Sequence, residues 1–247
     1  LVIALFFTCY IFYSVPCVAQ NDTLRVMVYN TLDFGPGGCQ TPATNAVSSE
    51  YPYLKDLIQY ANPDIVGLDK MVCIKTSPTD FQGSASPYFP DTLLPECFNS
   101  VYPGQFSWCP FTDVSGGSDG NSSLLLYNRN KIGYVSTKML YYGQEDIDLY
   151  KLYYKDPYLI TTHDTTFLYV ILCHTISGTS STGRDGQATT VINALKGMFT
   201  HTPNLIYMGD FNTHASSEPG YELITQTSDT NFIMDDPPFH PDAKLIY

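Results

Sequence analysis

The sequence predicts a layered α/β core, and three observations carry that reading. Short apolar, β-rich runs alternate with helical segments along the chain. Three of those runs end abruptly in polar side chains: Asn30, His174, and Asp210 followed by Asn212. Hydrophobic residues make up 44% of the 247 residues and charged residues 15%. That is enough apolar material for a sizeable core and too little charge for a disordered chain. The length fits one large domain or two small ones.

The first twenty residues, "LVIALFFTCYIFYSVPCVAQ", are almost wholly apolar and carry no charge. They have the character of a secretory signal whose basic start is missing, so residues 1–19 are expected to be a signal-peptide remnant cleaved near Ala19 or Gln20. A retained membrane anchor and a lipid-modified Cys17 are the alternatives. Each places the rest of the chain outside the cytoplasm: secreted, periplasmic or at the cell surface.

"TLRVMVYN" (23–30) reads as a strand ending in Asn30. In "YPYLKDLIQYAN" (51–62), Leu54, Leu57, Ile58 and Ala61 recur at helical spacing. Asn62-Pro63 stops that helix, and "DIVGL" (64–68) is a buried strand. Residues 76–120 are rich in Pro, Gly, Ser and Asp, which predicts long loops with little regular structure. "SSLLLYN" (122–128) is a strand followed by a tight "NRNK" turn. "TTFLYVILCH" (165–174) is a strongly apolar strand ending in His174. "STGRDGQ" reads as a loop, and a helix follows with Ala188, Val191, Ile192, Leu195 and Phe199 on one face. Thr202-Pro203 ends it, and "NLIYMGD" is the next strand. No internal repeat or low-complexity tract is visible.

Charge and cysteine content exclude some functions. The formal net charge is -12, with a pI near 4.5. The 12 Lys and Arg residues form no cluster. Such a surface repels polyanions, so stable binding to duplex DNA is not expected. Cys39, Cys73, Cys97, Cys109 and Cys173 follow the leader. Export permits disulfides, whose pairing cannot be read from spacing, and an odd number leaves one thiol over. Cys173 sits within an apolar strand and is expected to be a buried thiol. No CxxC or Cys/His spacing suggests structural zinc.

The polar strand ends are where a layered α/β core builds sites. Asp210 and Asn212 are two residues apart, so in extended geometry they point the same way. A carboxylate beside an amide can hold a hard cation or orient a water. A nearby His can act as general acid or base. Taken singly, each of these is as ordinary as a turn Asn or a packed His. Their order and context together weaken that plain reading.

With those residues in place, the chain resembles the endonuclease/exonuclease/phosphatase (deoxyribonuclease I-like) superfamily over roughly residues 23–215. "LRVMVYNTLDFG" resembles its first strand, "NPDIVGLDKM" its second motif, and "GNSSLLLYNRNKI" its central hairpin. "LYVILCHTISG", followed by Arg184 and Gln187, resembles the strand with the catalytic His, and "LIYMGDFN" the Gly-Asp-Phe-Asn signature. The resemblance implies a four-layered α/β sandwich, with two packed mixed sheets flanked by helices. It also implies phosphodiester or phosphomonoester hydrolysis with Mg²⁺ or Mn²⁺. Asp210 would orient or activate the attacking water, and Asn212 would hold a non-bridging phosphate oxygen. His174 would contact the phosphate or serve as acid/base, and Asn30 would help place the metal. Asn121 stands about where the family keeps a polar phosphate-side residue; it also opens an Asn121-Ser122-Ser123 glycosylation acceptor. Tyr127 reads as packing.

Two departures matter. Where the family's second motif ends Leu-Gln-Glu, with Glu as metal ligand, this chain has Leu68-Asp69-Lys70. An ammonium has three donors and no acceptor, so Lys70 cannot ligate a cation while charged. Three readings stay open. Lys70 replaces the metal's charge beside the phosphate; Asp69 serves as ligand, although a neighbouring strand residue faces the opposite side; or catalysis is lost and a binding cleft remains. The family's late Asp-His pair also has no good counterpart, since Asp235, Asp236 and His240 lie among prolines close to the Gly-Asp-Phe-Asn motif. Residues 23–247 are therefore read as one domain lacking its last strands, inactive in this form. Two functions remain in competition. One is an exported, monomeric phosphoesterase acting on nucleic acid, a lipid headgroup or a small phosphate ester. The other is a non-catalytic exported binding domain that keeps the fold.

Overall fold

The computed structural model describes residues 23–34, 47–72, 93–112, 121–143, 146–156, 165–225, 229, 231, 232 and 234. The leader, Cys39, Cys73, Asp235, Asp236 and His240 lie outside the described residues. So do residues 76–92 and 113–120 of the expected loop region.

The first sheet contains β1 (Val26–Phe34), β2 (Ile65–Val72), β3 (Phe106–Trp108) and β4 (Asn121–Asn128) in the order β1-β2-β4-β3. β1 and β2 are parallel, joined through α1 (Val47–Ala61), and the other two pairings are antiparallel. The second sheet contains β5 (Ile132–Tyr141), β6 (Ile147–Tyr154), β7 (Phe167–His174) and β8 (Leu205–Asp210) in sequence order. Here β7 and β8 are the parallel pair, joined through α3 (Thr182–Met198). Each sheet is mixed, and each carries one right-sized helical crossover, as parallel neighbours require.

The four layers follow from which residues are buried together. Leu54 and Ile58 of α1 pack with Leu93, Cys97 and Phe98 of a π-helical turn (Leu94–Phe98) that runs into α2 (Asn99–Val101). The same cluster takes in Ile65, Val66 and Leu68 of β2 and Leu124, Leu125 and Leu126 of β4. It continues through to Tyr150, Leu152, Val170, Leu172 and Met208 of the second sheet. A second cluster seats Val191, Ile192 and Leu195 of α3 on Leu149, Ile171 and Cys173. The result is the helix–sheet–sheet–helix sandwich. The sheets approach most closely at Gly67: a Cβ there would lie 2.6 Å from Leu172 Cδ1 and 2.9 Å from Met208 Cε.

Several expectations change. Thr182–Gln187 is not a loop but the first turns of α3, in spite of Gly183 and Gly186. Arg184 and Gln187 are both buried there, and their tertiary bonds outweigh the low helix propensity of the glycines. The "NRNK" turn does not close a hairpin. Lys131 N–H returns to Asn128 C=O at 3.1 Å, but β4 and β5 belong to different sheets, so the turn carries the chain across the sandwich. The described part of 76–120 holds the π-helical turn, α2 and β3, because Leu93, Cys97, Phe98, Phe106 and Phe111 are all buried. Cys97, Cys109 and Cys173 are free, buried thiols; burial pushes Cys97 up to about 12 and raises the other two. No described helix is long and apolar enough to cross a membrane.

Candidate active site

Both parallel pairs end at the same mouth of the sandwich. β1 and β2 bring Asn30 beside Asp69, and β7 and β8 bring His174 beside Asp210, each as cross-strand partners. The carboxyl ends of parallel strands leave open backbone groups and diverging connections, which is where α/β sheets place ligands. Here two such ends, one from each sheet, face one another.

Asp210 is the centre. Asn30 Nδ2 donates to its Oδ2 at 2.8 Å, and the Asn212 backbone N–H donates to its Oδ1 at 2.9 Å. The Leu32 N–H donates to Asn30 Oδ1 at 2.9 Å, so the amide of Asn30 is held at both ends. Asn212 adopts φ 46°, a left-handed conformation that Asn tolerates. That turn folds its side chain back onto β7. Asn212 Nδ2 donates to Thr175 C=O at 2.8 Å and lies 3.3 Å from His174 Nε2. One amide proton goes to the carbonyl, and the other is directed at the imidazole. Nε2 then meets it as an acceptor, which places the proton of neutral His174 on Nδ1. His174 Nε2 is 3.9 Å from Asp210 Oδ2, a separation at which one water can touch both.

The backbone around Asp210 is specified by Gly209. It sits at φ 138°, and a Cβ there would lie 1.8 Å from the carbonyl oxygen of Cys173. Only glycine fits that position. Thr175 N–H donates to Asp210 C=O at 2.9 Å, and Thr175 Oγ1 donates to Phe211 C=O, closing the His174 and Asp210 ends together.

β2 ends in a bulge. Leu68 pairs with Leu124 and Met71 with Ser122, so Asp69 and Lys70 together oppose Ser123. Lys70 takes φ 56° at this bulge. Thr31 Oγ1 pins the distortion by donating toward Asp69 C=O at 2.7 Å and Lys70 C=O at 3.0 Å. Asp69 is two residues beyond Gly67 and shares its face, toward the second sheet. The carboxylate is fully buried: Ser123 Oγ donates to Oδ1 at 3.0 Å, and Asp210 N–H donates to Oδ2 at 3.0 Å. Burial pushes its pKa up to about 7, against the lowering effect of Ser123 and of His174. Asp69 therefore reaches the site, contrary to the simple alternation argument, but lies beneath Asp210 and not in the open mouth.

The loops after His174 and Asn212 are clamped to each other. Arg184 donates from Nε and Nη2 to the two carboxylate oxygens of Glu218 at 2.9 and 3.0 Å, and from Nη1 to Gly178 C=O at 2.8 Å. Gln187 Oε1 accepts the Ile176 N–H at 3.0 Å. The His214 N–H donates to Glu218 at 2.9 Å, and its Nε2 meets Gly178 C=O at 2.9 Å.

The structure thus unites Asn30, His174, Asp210 and Asn212. Asn121 opens β4 in register with Val72, two residues before Ser123, and Tyr127 is half-buried packing opposite Ile65. Sequence reasoning missed Ser123, Thr175, Glu218 and His214, whose types carry no signal outside this geometry.

A hard divalent cation takes about six oxygen ligands in all, with carboxylates among them. The described donor set does not fit one. Both Asp69 oxygens are buried and already accept donors, and each Asp210 oxygen accepts a hydrogen bond. Asn30 turns its NH₂ toward Asp210. Among the described residues no group of three His, Cys, Asp or Glu side chains is gathered.

This is the four-layered sandwich of the endonuclease/exonuclease/phosphatase proteins. A protein of that family from Bacteroides thetaiotaomicron superposes with a TM-score of 0.54 at 13% identity over 81% of this chain and 66% of its own. The human Nocturnin catalytic domain with bound sulfate gives 0.57 at 18% identity, covering 83% of this chain and 69% of its own. A mannosyl-6-phosphatase from Bacteroides thetaiotaomicron gives 0.52 at 17% identity, covering 81% and 69%. No protein-family model matches the sequence, and no curated protein sequence does so.

Proposed function

We propose that this chain is the hydrolytic core of an exported phosphoesterase. The single observation that carries the reading is the convergence of Asn30 from within β1, His174 and Asp210 from the ends of β7 and β8, and Asn212 from the turn that follows. Support also comes from the occurrence of this fold in a phosphatase and in a catalytic domain that holds sulfate, an anion shaped like phosphate.

In this reading a water sits within reach of Asp210 Oδ2 and His174 Nε2. It attacks phosphorus, the water's proton passes to Asp210 Oδ2, or to His174 Nε2 once the Asn212 amide turns away from it, and the bond to the leaving oxygen breaks as that oxygen is protonated in turn. Asn30 holds the Asp210 carboxylate in place, and the Asn212 amide proton directed at His174 is the one that turns to a phosphate oxygen. Lys70 supplies the positive charge that phosphoryl transfer demands. Since the described donors do not fit a divalent ion, no step passes through one. The acidic surface favours a small phosphate ester or lipid headgroup over duplex DNA. The signal-like start supports export.

The test is turnover of a small chromogenic phosphodiester and of phosphomonoesters by the protein, beside His174→Ala. Turnover lost by about 10²–10⁴-fold in the variant supports the hydrolase. Lys70 and the burial of the Asp69 carboxylate favour one other reading, a phosphate-binding domain without catalysis. Silence toward every ester class from folded protein, with retained binding of inorganic phosphate, would select it.

A further inference from the structure

We propose that Asp69 is a positioning residue that sets Asp210 from beneath and locks the catalytic strand of one sheet to the bulged strand of the other. The inference rests on the phosphoesterase reading for its effect on turnover, and on geometry alone for the bond itself.

A buried carboxylate is tolerated only where its oxygens find donors. Asp69 has one on each: Ser123 Oγ from its own sheet and the Asp210 N–H from the other, both at 3.0 Å. The donor across the sheets is the backbone of the very residue whose side chain lies at the centre of the site. Three features serve this contact. The bulge at Asp69–Lys70 opposite Ser123 is held by the Thr31 hydroxyl. Gly209, at φ 138°, turns the chain just before Asp210. Gly67, on the same face of β2 as Asp69, lets the sheets close up. Asn30 then holds the carboxylate of Asp210 from above while Asp69 holds its main chain from below. Both restraints come from the first sheet, and Gly209 gives the Asp210 backbone the turn that lets it meet them.

The experiment compares wild type, Asp69→Asn and Asp69→Leu of the full chain. Amide hydrogen exchange at Asp210, read by NMR, is measured together with kcat and KM on a chromogenic phosphodiester. Asn keeps an acceptor for the Asp210 N–H and a polar partner for Ser123; Leu keeps the volume and removes both. Asp69→Leu is expected to speed Asp210 exchange at least about tenfold relative to Tyr207, and to lower kcat by up to about 10²-fold with KM little changed, the size of effect a misplaced group produces. Asp69→Asn is expected to restore both. A folded Asp69→Leu with a protected Asp210 amide overturns the proposal, as does unchanged kcat, or an Asn variant as impaired as Leu. If wild type shows no turnover, the phosphoesterase reading fails while the exchange data still decide the Asp69 contact. If Asp69→Leu does not fold, the wild-type amide decides: rapid exchange at Asp210 sinks the idea, and protection that persists in Asp69→Asn sustains it.

Discussion

Asn30 of β1 donates to Asp210 of β8 at 2.8 Å, joining residues 180 apart in the chain and bridging the two sheets at their mouth. The bond has an orientation: the amide NH₂ faces the carboxylate, because the Leu32 N–H occupies the amide oxygen. Asn30→Asp would set two carboxylates against each other, whereas Asn30→Ala would only release Asp210. Both variants should lose turnover, by about 10²-fold for Ala. The Asp variant should lose more at pH 8 than at pH 5, where a shared proton relieves the repulsion. A pH–rate profile of the two checks this. Identical profiles would mean that Asn30 does not face the Asp210 carboxylate during turnover.

Arg184 belongs to the loops more than to its helix. Its fork spans Glu218 and the Gly178 carbonyl, so it ties the segment after His174 to the segment after Asn212. Lysine cannot reproduce that planar fork. Arg184→Lys should leave the fold cooperative but lower its Tm, and should raise KM and lower kcat together, as expected when a support for two site loops slackens. Thermal melts with steady-state kinetics would show it. A variant with wild-type KM would place the clamp outside the binding site's mechanics.

Stability should fall as pH rises from about 5 to 8. Asp148 is buried, accepts from the Thr112 N–H at 2.7 Å and from the Thr112 hydroxyl, and is pushed by burial up to about 6. Asp69 is pushed by the same cause up to about 7. The folded state therefore binds these two protons more tightly than the unfolded chain, whose carboxyls titrate near 3.8. Their stabilising effect is complete below that value and is lost as pH climbs through about 6 and then about 7. Glu218 and Asp229 act oppositely: bonds from Arg184 and Lys196 hold both below the usual range, and their contribution is lost only in stronger acid. Asp148→Asn should flatten the lower half of the fall in Tm while leaving the part near pH 7. A Tm that rises from pH 5 to 8 would contradict the burial of both carboxyls.

How much of this was legible in the sequence depended on whether one residue's neighbours in the chain decide its role. The apolar runs of β2, β4, β7 and β8 were readable, because burial on both faces needs continuous hydrophobic stretches. Asn30, His174, Asp210 and Asn212 were readable as polar ends of such runs. β6 was not, since "IDLYKLYY" mixes two charged residues with tyrosines, although Asp148 and Tyr150 are buried. The start of α3 was hidden by two glycines, and the burial that overrides them is tertiary. Asp69 was misjudged because alternation was counted from Lys70 as the site-facing residue. Counted from Gly67, which packs on the second sheet, the same alternation brings Asp69 beneath Asp210. Ser123 and Glu218 gain meaning only from partners 54 and 34 residues away.

Lys70 separates backbone from charge in a way that can be tested directly. It holds φ 56°, a conformation that disfavours side chains with a Cβ by roughly 1–2 kcal/mol and suits glycine. Lys70→Gly should therefore keep or raise Tm while removing the ammonium, and its turnover should fall if that charge stabilises the phosphate. Wild-type turnover should persist in EDTA, because the described site gathers no ligand set for a divalent ion. Lys70→Glu keeps the strained backbone and restores the carboxylate that the family's second motif carries at this position. It should be silent in EDTA and gain turnover on addition of Mg²⁺ or Mn²⁺. Wild-type activity abolished by EDTA would show that a metal is held by other groups and that Lys70 is not its substitute. Unchanged turnover in Lys70→Gly would remove the ammonium from the mechanism altogether, leaving Asn212 and His174 as the whole of the phosphate-side chemistry.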